Sequence, residues 1–456
     1  MQAKRTTLVL VLLAAAPLVW GQLLGRGFGV ADDLLKRGVG DTLNELERET
    51  DKTVEKTTET ASETEQKIAE RTAATAKQVR EQVATVVAET GVLNLTGNLL
   101  FSQVTLDDGF DAVKDEWLTL VSKDELAQIG GLNVVEQRYL KELDRYLVRF
   151  VIAEGSDYAT VLGGLPDPIV ARTGRNHIYQ LQRDDDYQTA GAQSAAFEDQ
   201  RVSLCKRKMR LGVIDTAVNL DHSAFAKSRI SQQTFLPADL AEASDHGSAI
   251  VGTLVGAEEH LVPLVPKAQV FNASVFYRSE ERQGARLDDL VAGLDWLVSQ
   301  DVQVINMSLA GPANPVLQAV LARAFERDIV VVAAVGNSGP SAPVLYPAGY
   351  PEVVGVTAVD YNKRIFRFSN RGEQVDFSAP GVAVITVKAS GGLGLETGTS
   401  LAVPVITATF GCGLAKRKSP DKVLAMLEKE AEDLGEQGRD PVFGYGLITR
   451  TIRKRL

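Results

Sequence analysis

The chain has 456 residues, 45% of them hydrophobic and 24% charged, and a net charge of −10. Such a length allows more than one domain, and the acidic balance gives no electrostatic reason to expect a nucleic-acid partner. Only two cysteines occur, Cys205 and Cys412, without metal-ligand spacing.

In chain order, the first feature is a targeting segment. Lys4 and Arg5 form a basic start, Leu8 to Ala16 a short apolar core, and Val19 and Gly21 flank Trp20 as small residues. This pattern predicts a secretory signal over 1–21. The apolar run is short for a membrane span, and an uncleaved anchor is the alternative. The expected location is outside the cytoplasm, in a periplasm or secreted. There Cys205 and Cys412 can pair as a disulfide, with two buried thiols as the equal alternative.

Residues 22–92 read as a helical, coiled-coil-like spacer. Asp41 to Thr90 contains neither Pro nor Gly. Val54, Ala61 and Ile68 lie seven apart, and Thr72, Thr75, Val79, Val83 and Val86 continue at steps of three and four. That describes a long N-terminal helix with a thin apolar seam, weakened by its threonines. The 41–90 helix offers a surface for self-association. Residues 93–182 read as a small α+β domain. Its expected elements are a helix over Val113–Leu126, strands over Leu132–Leu140 and Arg145–Ala153, a short helix from Ala159 to Gly163, and a final strand His177–Leu181. A polar stretch from Gln182 to Gln200 places a linker at 183–206.

From 207 to 456 the pattern changes. Arg210–Ile214, Ala268–Val275, Val302–Met307, Ile329–Val335 and Val353–Val359 are buried-type strands. Helical patterns such as Leu287–Gln300 and Asn314–Arg327 lie between them. The fold class is α/β, a largely parallel sheet with helices on both faces. Functional residues of such sheets lie at the C-terminal ends of the strands.

Asp215 follows the first strand. His246 opens a helix in Asp245-His246-Gly247-Ser248. Asn306 ends the third strand and Asn337 the fourth. Ser400 stands in Gly398-Thr399-Ser400-Leu401-Ala402-Val403-Pro404, a tight turn entering a buried helix with Pro404 expected in its first turn. A hydroxyl at the positive end of a helix suits a nucleophile whose reaction develops an oxyanion. Acyl transfer needs that nucleophile, a base, a carboxylate to orient the base, and oxyanion donors.

The Asp215-Thr216-Ala217 turn, His246-Gly247-Ser248, Asn306-Met307-Ser308-Leu309-Ala310-Gly311-Pro312, Gly336-Asn337-Ser338-Gly339 and Gly398-Thr399-Ser400 together resemble the subtilisin (subtilase) family of serine peptidases. Their order, Asp then His then Ser, is that family's own. The likeness covers roughly 207–450 and includes Gly444-Tyr445-Gly446 near the end. It implies a subtilisin-like fold with Ser400 as nucleophile, His246 as general base and acid, Asp215 as its orienting carboxylate and Asn337 as oxyanion donor. It also implies that Ser308, Leu309, Ala310 and Gly311 line the substrate groove. Ala310 stands where the family usually has glycine, and the family's second histidine after His-Gly is missing. The α+β domain resembles, more loosely, a pro-region that assists folding and then blocks the site, with self-cleavage in the following linker.

These likenesses imply an exported serine endopeptidase made as a zymogen, working through an acyl-enzyme without a cofactor. Its partners would be peptide or protein substrates and its own pro-region as intramolecular inhibitor. The family often holds structural calcium, but no acidic cluster assigns a site. The alternatives are a non-catalytic peptide-binding or assembly protein on the same scaffold, or a highly selective processing protease.

Overall fold

Strand pairing begins where the described chain begins. The structure, a computed structural model, describes residues 86–153, 158–182, 202–279 and 282–454. All lie in the compact unit Thr75–Leu456, and a separate unit, Met1–Ala74, lies outside the described residues. The expected secretory signal and most of the expected spacer helix therefore fall outside them too.

Val86–Leu93 (β1) pairs antiparallel with Leu99–Leu106 (β2). The helix expected to run to Thr90, and the spacer boundary at 92, are corrected here: Val86 to Thr90 is strand. Partners on β2 and burial of Val92 outweigh a weak helical seam. A second correction concerns Asp111–Val121 (β3), a strand where a helix over Val113–Leu126 was expected. Val113, Trp117 and Leu120 follow steps of four and three, which imitates a helix. The cause is a bulge: Asp115 has φ +59°, and the register shifts between Ala112 and Trp117.

Asn133–Leu140 (β4), Arg145–Val151 (β5), helices Tyr158–Gly163 (α1) and Asp167–Val170 (α2), and Thr173–Leu181 (β6) complete this α+β region. Strand β3 pairs with β2, β5 and β6. Trp117, Phe150, Leu162 and Ile169 form its core.

The second half contains Arg210–Asp215 (β7), Arg229–Thr234 (β8), Asp245–Val255 (α3), Gln269–Ser274 (β9), Tyr277–Arg278 (β10), Gln283–Arg286 (β11) and Leu287–Ser299 (α4). Val304–Met307 (β12), Leu309–Ala310 (β13), Pro315–Phe325 (α5), Val330–Ala334 (β14), Val354–Val359 (β15) and Phe377–Pro380 (β16) follow. Val384–Val387 (β17), Leu393–Glu396 (β18), Thr399–Leu414 (α6) and Pro420–Glu430 (α7) end the series. Seven parallel strands run in the order β16-β15-β14-β12-β7-β9-β8.

Alternate residues of these strands enter two separate cores. Leu211 and Val213 join Leu401, Val403 and Ile406 of α6 on one face. Ile214 and Ile305 join Leu290 and Leu294 of α4 and Leu317 and Val320 of α5 on the other. Both faces are therefore covered, which is why the strands read as near-continuous apolar runs. Cys205, before β7, is joined to Cys412 of α6 by a disulfide with the sulfurs 2.04 Å apart.

Strand β6 joins the halves. It pairs antiparallel with β11 through Tyr179 and Ile178, and with β13 through Leu181 and Gln180. Backbone N–H groups of Lys141, Glu142 and Leu143 donate to the Asp295 carboxylate on α4 at 3.1, 2.9 and 3.1 Å. Asn176 Oδ1 accepts the Asp288 N–H at 3.2 Å, satisfying a donor in the first turn of α4.

His177 is buried at the same seam, and its Nδ1 accepts from Asn314 Nδ2 at 2.9 Å. Burial, aided by the charge of Arg175, pushes its pKa from 6.5 down to about 3. The unfolded chain therefore binds this proton more readily than the folded one. The contribution to stability is complete above pH 6.5 and is lost as pH falls towards 3, at up to about 1.4 kcal/mol per pH unit. The variant His177→Gln should thus show a shallower loss of stability between about pH 6 and pH 4 in denaturant titrations. Identical slopes would show that His177 ionises freely within the fold.

Candidate active site

Asp215 is the last residue of β7 and is fully buried. His246 is the second residue of α3, and its Nδ1–H donates to the two Asp215 oxygens at 2.8 and 2.9 Å. That contact assigns the proton to Nδ1 and leaves Nε2 as an acceptor. Thr216 fixes the strand end to the helix: its Oγ1 accepts the Gly247 N–H at 2.8 Å. Asp215 Oδ1 also accepts the Thr216 N–H at 2.7 Å.

Ser400 is the second residue of α6. The residue before the helix, Gly398, has φ +154° and ψ 161°, a region almost closed to residues with a Cβ. The turn therefore requires glycine, and it delivers Ser400 to the helix N-terminus. Asn337 lies just beyond β14. Its Oδ1 accepts from the Thr399 N–H at 3.0 Å and the Thr399 hydroxyl at 2.8 Å. These donors orient the amide and leave Nδ2 for another acceptor. Ser400 Oγ, His246 Nε2 and Asn337 Nδ2 are all buried without a hydrogen-bond partner. Each such atom costs about 1–3 kcal/mol, a cost that persists where the atom has chemistry to perform.

Pro404 does not lie in the first turn of α6 as expected. It stands inside the helix, at the sixth position. Its missing N–H leaves the Ser400 carbonyl without the usual helical donor. Ser308 supplies one, its Oγ donating to that carbonyl at 3.0 Å while accepting from Asn306 Nδ2 at 2.8 Å. Thr407 Oγ1 donates to Asn306 Oδ1 at 3.2 Å. Removing the hydroxyl in Ser308→Ala should destabilise the protein by about 1–3 kcal/mol, because a buried carbonyl loses its donor. Denaturant unfolding in a Ser400→Ala background measures this without self-digestion. An unchanged midpoint would mean that another donor replaces Ser308.

Ser308 also faces the groove through its backbone, its carbonyl accepting the Gln182 N–H at 3.4 Å. Leu309 and Ala310 form β13 against β6. Gly311 exchanges backbone hydrogen bonds with Tyr346 at 2.9 Å each way. The Ser400 N–H donates to the Gln182 carbonyl at 3.4 Å. The groove beside Ser400 is thus filled by the end of β6.

Sequence reasoning missed the supporting roles of Thr399, Asn306 and Thr407. Asn306 stood out only as a strand end, and Thr399 only as the threonine inside Gly-Thr-Ser; Thr407 gave no signal. His222, in the polar stretch Asn219-Leu220-Asp221-His222-Ser223, is buried: its Nδ1 accepts the Ala224 N–H at 3.1 Å, and Nε2 lies 3.0 Å from the Gly392 carbonyl. Two loops close over it, which local composition does not reveal. Among the described residues no group of three or more His, Cys, Asp or Glu side chains is placed to hold a metal, so no calcium site is assigned.

A seven-stranded parallel sheet, helices on both faces, a buried Asp–His pair and a buried, unpartnered serine hydroxyl at a helix N-terminus define a hydrolase of the serine-peptidase type. The family model described as "Subtilase family" matches residues 206–446, more than half the chain, and the chain belongs to that family. It is 29% identical over 256 residues to the minor extracellular protease Epr of Bacillus subtilis, spanning 54% of this chain and 39% of that protein. Subtilisin E of Bacillus subtilis is 28% identical over 352 residues, spanning 75% of this chain and 87% of the relative. The crystal structure of fervidolysin from Fervidobacterium pennivorans, a keratinolytic enzyme related to subtilisin, superposes with a TM-score of 0.60 at 19% identity. It covers 82% of this chain and 64% of that one, a likeness of fold.

Proposed function

We propose that the protein is an exported serine endopeptidase, made as a zymogen, that hydrolyses peptide bonds through an acyl-enzyme. The observation that carries this reading is the set of buried, unpartnered atoms Ser400 Oγ, His246 Nε2 and Asn337 Nδ2 around the paired Asp215 and His246. Ser400 Oγ attacks the scissile carbonyl as His246 Nε2 takes its proton. Asp215 holds the ring and stabilises its charged form. The Ser400 N–H and Asn337 Nδ2 receive the oxyanion. His246 then protonates the leaving amine, and water hydrolyses the ester.

Residues 86–182 act as the intramolecular inhibitor, and a linker over 183–206 leads into the peptidase region 207–456. Two facts support this division: β6 lies in the groove as a third strand between β11 and β13, and Asp295 receives three backbone donors from 141–143. An added strand is how extended peptides bind an exposed sheet edge. The Cys205–Cys412 disulfide suits an oxidising compartment outside the cytoplasm.

The test compares purified wild type and Ser400→Ala by intact mass and by labelling with a serine-reactive phosphonate. Wild type should label and shorten, and the variant should do neither. Labelling without shortening would remove the zymogen role. If wild type neither labels nor shortens, the scaffold serves as a peptide-binding protein instead.

A further inference from the structure

We infer that the peptide bond joining Gln182 to Arg183 is the bond this enzyme cuts in its own chain, and that the enzyme reads the sequence Tyr-Gln-Leu-Gln. Glutamine lies directly before the cut, and tyrosine lies three residues before that glutamine. The inference rests on the peptidase reading above and adds to it a position and a substrate class.

The position follows from backbone hydrogen bonds. Strand β6 runs between β11 and β13 up to Leu181. The next residue is held on both sides of its Cα: the Gln182 N–H donates to Ser308 O, and the Gln182 carbonyl accepts from the Ser400 N–H, each at 3.4 Å. A carbonyl facing the N–H of the serine whose hydroxyl is unpartnered is the electrophile of acyl transfer. The bonds are long, as hydrogen bonds at a reacting centre often are before the transition state tightens them. Asn337 Nδ2, also unpartnered, supplies the second donor.

The chemistry balances with water as the only co-reactant. Ser400 Oγ forms an ester with the Gln182 carbonyl carbon, and its proton moves to His246 Nε2. The carbon–nitrogen bond to Arg183 breaks, and His246 protonates the new amine. Water then cleaves the ester, leaving a Gln182 carboxylate and restoring the serine.

The substrate class follows from which side chains of this segment are buried. Gln180 and Leu181 are half-buried, whereas Tyr179 and Gln182 are buried. Gln182 Oε1 accepts the backbone N–H of Asn337 at 2.8 Å, and its Nε2 donates to the Gln180 carbonyl at 3.4 Å. Leucine there would strand the Asn337 N–H, and a carboxylate would set its charge against the Gln180 oxygen. Sites built to bond a polar group discriminate strongly against analogues that lack it. Tyr179 is fully buried, and its hydroxyl donates to the Pro312 carbonyl at 3.0 Å. Its ring lies against Gly311 so closely that a Cβ added there would come within 2.6 Å of the ring. Gly311 thus makes the space that the tyrosine fills.

The experiment uses the full chain, wild type and Ser400→Ala, with the new N-terminus of any product sequenced. Wild type should yield a product beginning at Arg183, and the variant none. The processed enzyme is then given peptides carrying Tyr-Gln-Leu-Gln or single changes of it. Replacing the glutamine by leucine should lower kcat/KM about 10- to 100-fold, as should replacing the tyrosine by alanine. Gly311→Ala should bring the ratio of kcat/KM between the tyrosine and alanine peptides close to one, a change of selectivity that general damage to the fold would not produce. These peptide measurements stand even if variants of Gln182 itself fold poorly. An N-terminus elsewhere, or equal rates for the glutamine and leucine peptides, overturns the inference and leaves the peptidase reading intact. Absence of both phosphonate labelling and peptide cleavage overturns both.

Discussion

Alanine at position 400 is expected to lower kcat by about 10⁶-fold, the size of loss known for the same removal in subtilisin, with KM nearly unchanged. The reason is local. The hydroxyl is buried at the start of α6 and makes no hydrogen bond, so its removal takes nothing from the fold. The Ser400 N–H remains in place to hold the substrate carbonyl. Stability of Ser400→Ala should therefore equal or exceed that of wild type, since a buried unpaired polar atom is gone. Steady-state kinetics on a peptide substrate and denaturant unfolding check the two halves of this expectation. A large fall in stability with modest loss of rate would make Ser400 a structural cap.

The second large effect is expected at Asn337. Its two ends have different duties. Oδ1 accepts from the Thr399 N–H and hydroxyl, which holds the α6 entry, while Nδ2 is free to donate. A leucine would destroy both duties and confuse them. Asn337→Asp keeps the acceptor and removes the donor, and it sets a negative charge beside the developing oxyanion. kcat should fall by at least about 10²- to 10³-fold, the range set by loss of the corresponding donor in subtilisin, with KM within a few-fold. Thr399→Val, which removes one of the two donors to Oδ1, should cost less, because the backbone N–H still orients the amide. If Asn337→Asp instead raised KM and spared kcat, Asn337 would be binding the ground state and not the transition state.

The occupied groove bears on how these measurements are made. The carbonyl of Gln182 already sits at the Ser400 N–H, so under the zymogen reading proposed above the unprocessed chain carries its own competitor. Activity should therefore be assayed on material whose N-terminus is known. The seam that holds this competitor uses His177 and Asn176 on one side, and α4 with Asn314 on the other. Acidification weakens the His177 contribution, which makes the unprocessed chain less stable at low pH.

Much of the peptidase region was legible in the sequence because its signals are local. A strand buried on both faces must be apolar along its length, so Arg210–Ile214 and Ile329–Val335 announce themselves without reference to their partners. Asp215, His246, Asn337 and Ser400 stand out because each follows a strand or opens a helix, within a few residues of a glycine or turn. The N-terminal half was less legible. Asp115 and its bulge turned a strand pattern into an apparent helix, and Val86 to Thr90 became strand only because β2 offers a pairing edge.

The sequence by itself determined the α/β class of 207–456, the order of its strands along the chain, and the residue types available at the strand ends. Only the tertiary structure decided what those residues meet. It paired Cys205 with Cys412 across a separation of 207 residues, and it brought Ser308 to a carbonyl orphaned by Pro404. It also laid Tyr179 and Gln182 into a groove made by residues 283–286 and 308–312. Composition carries local propensity and burial. Register, pairing across long separations and the identity of a hydrogen-bond partner arise only when distant segments close on one another, since each contact is chosen by the geometry of all the others.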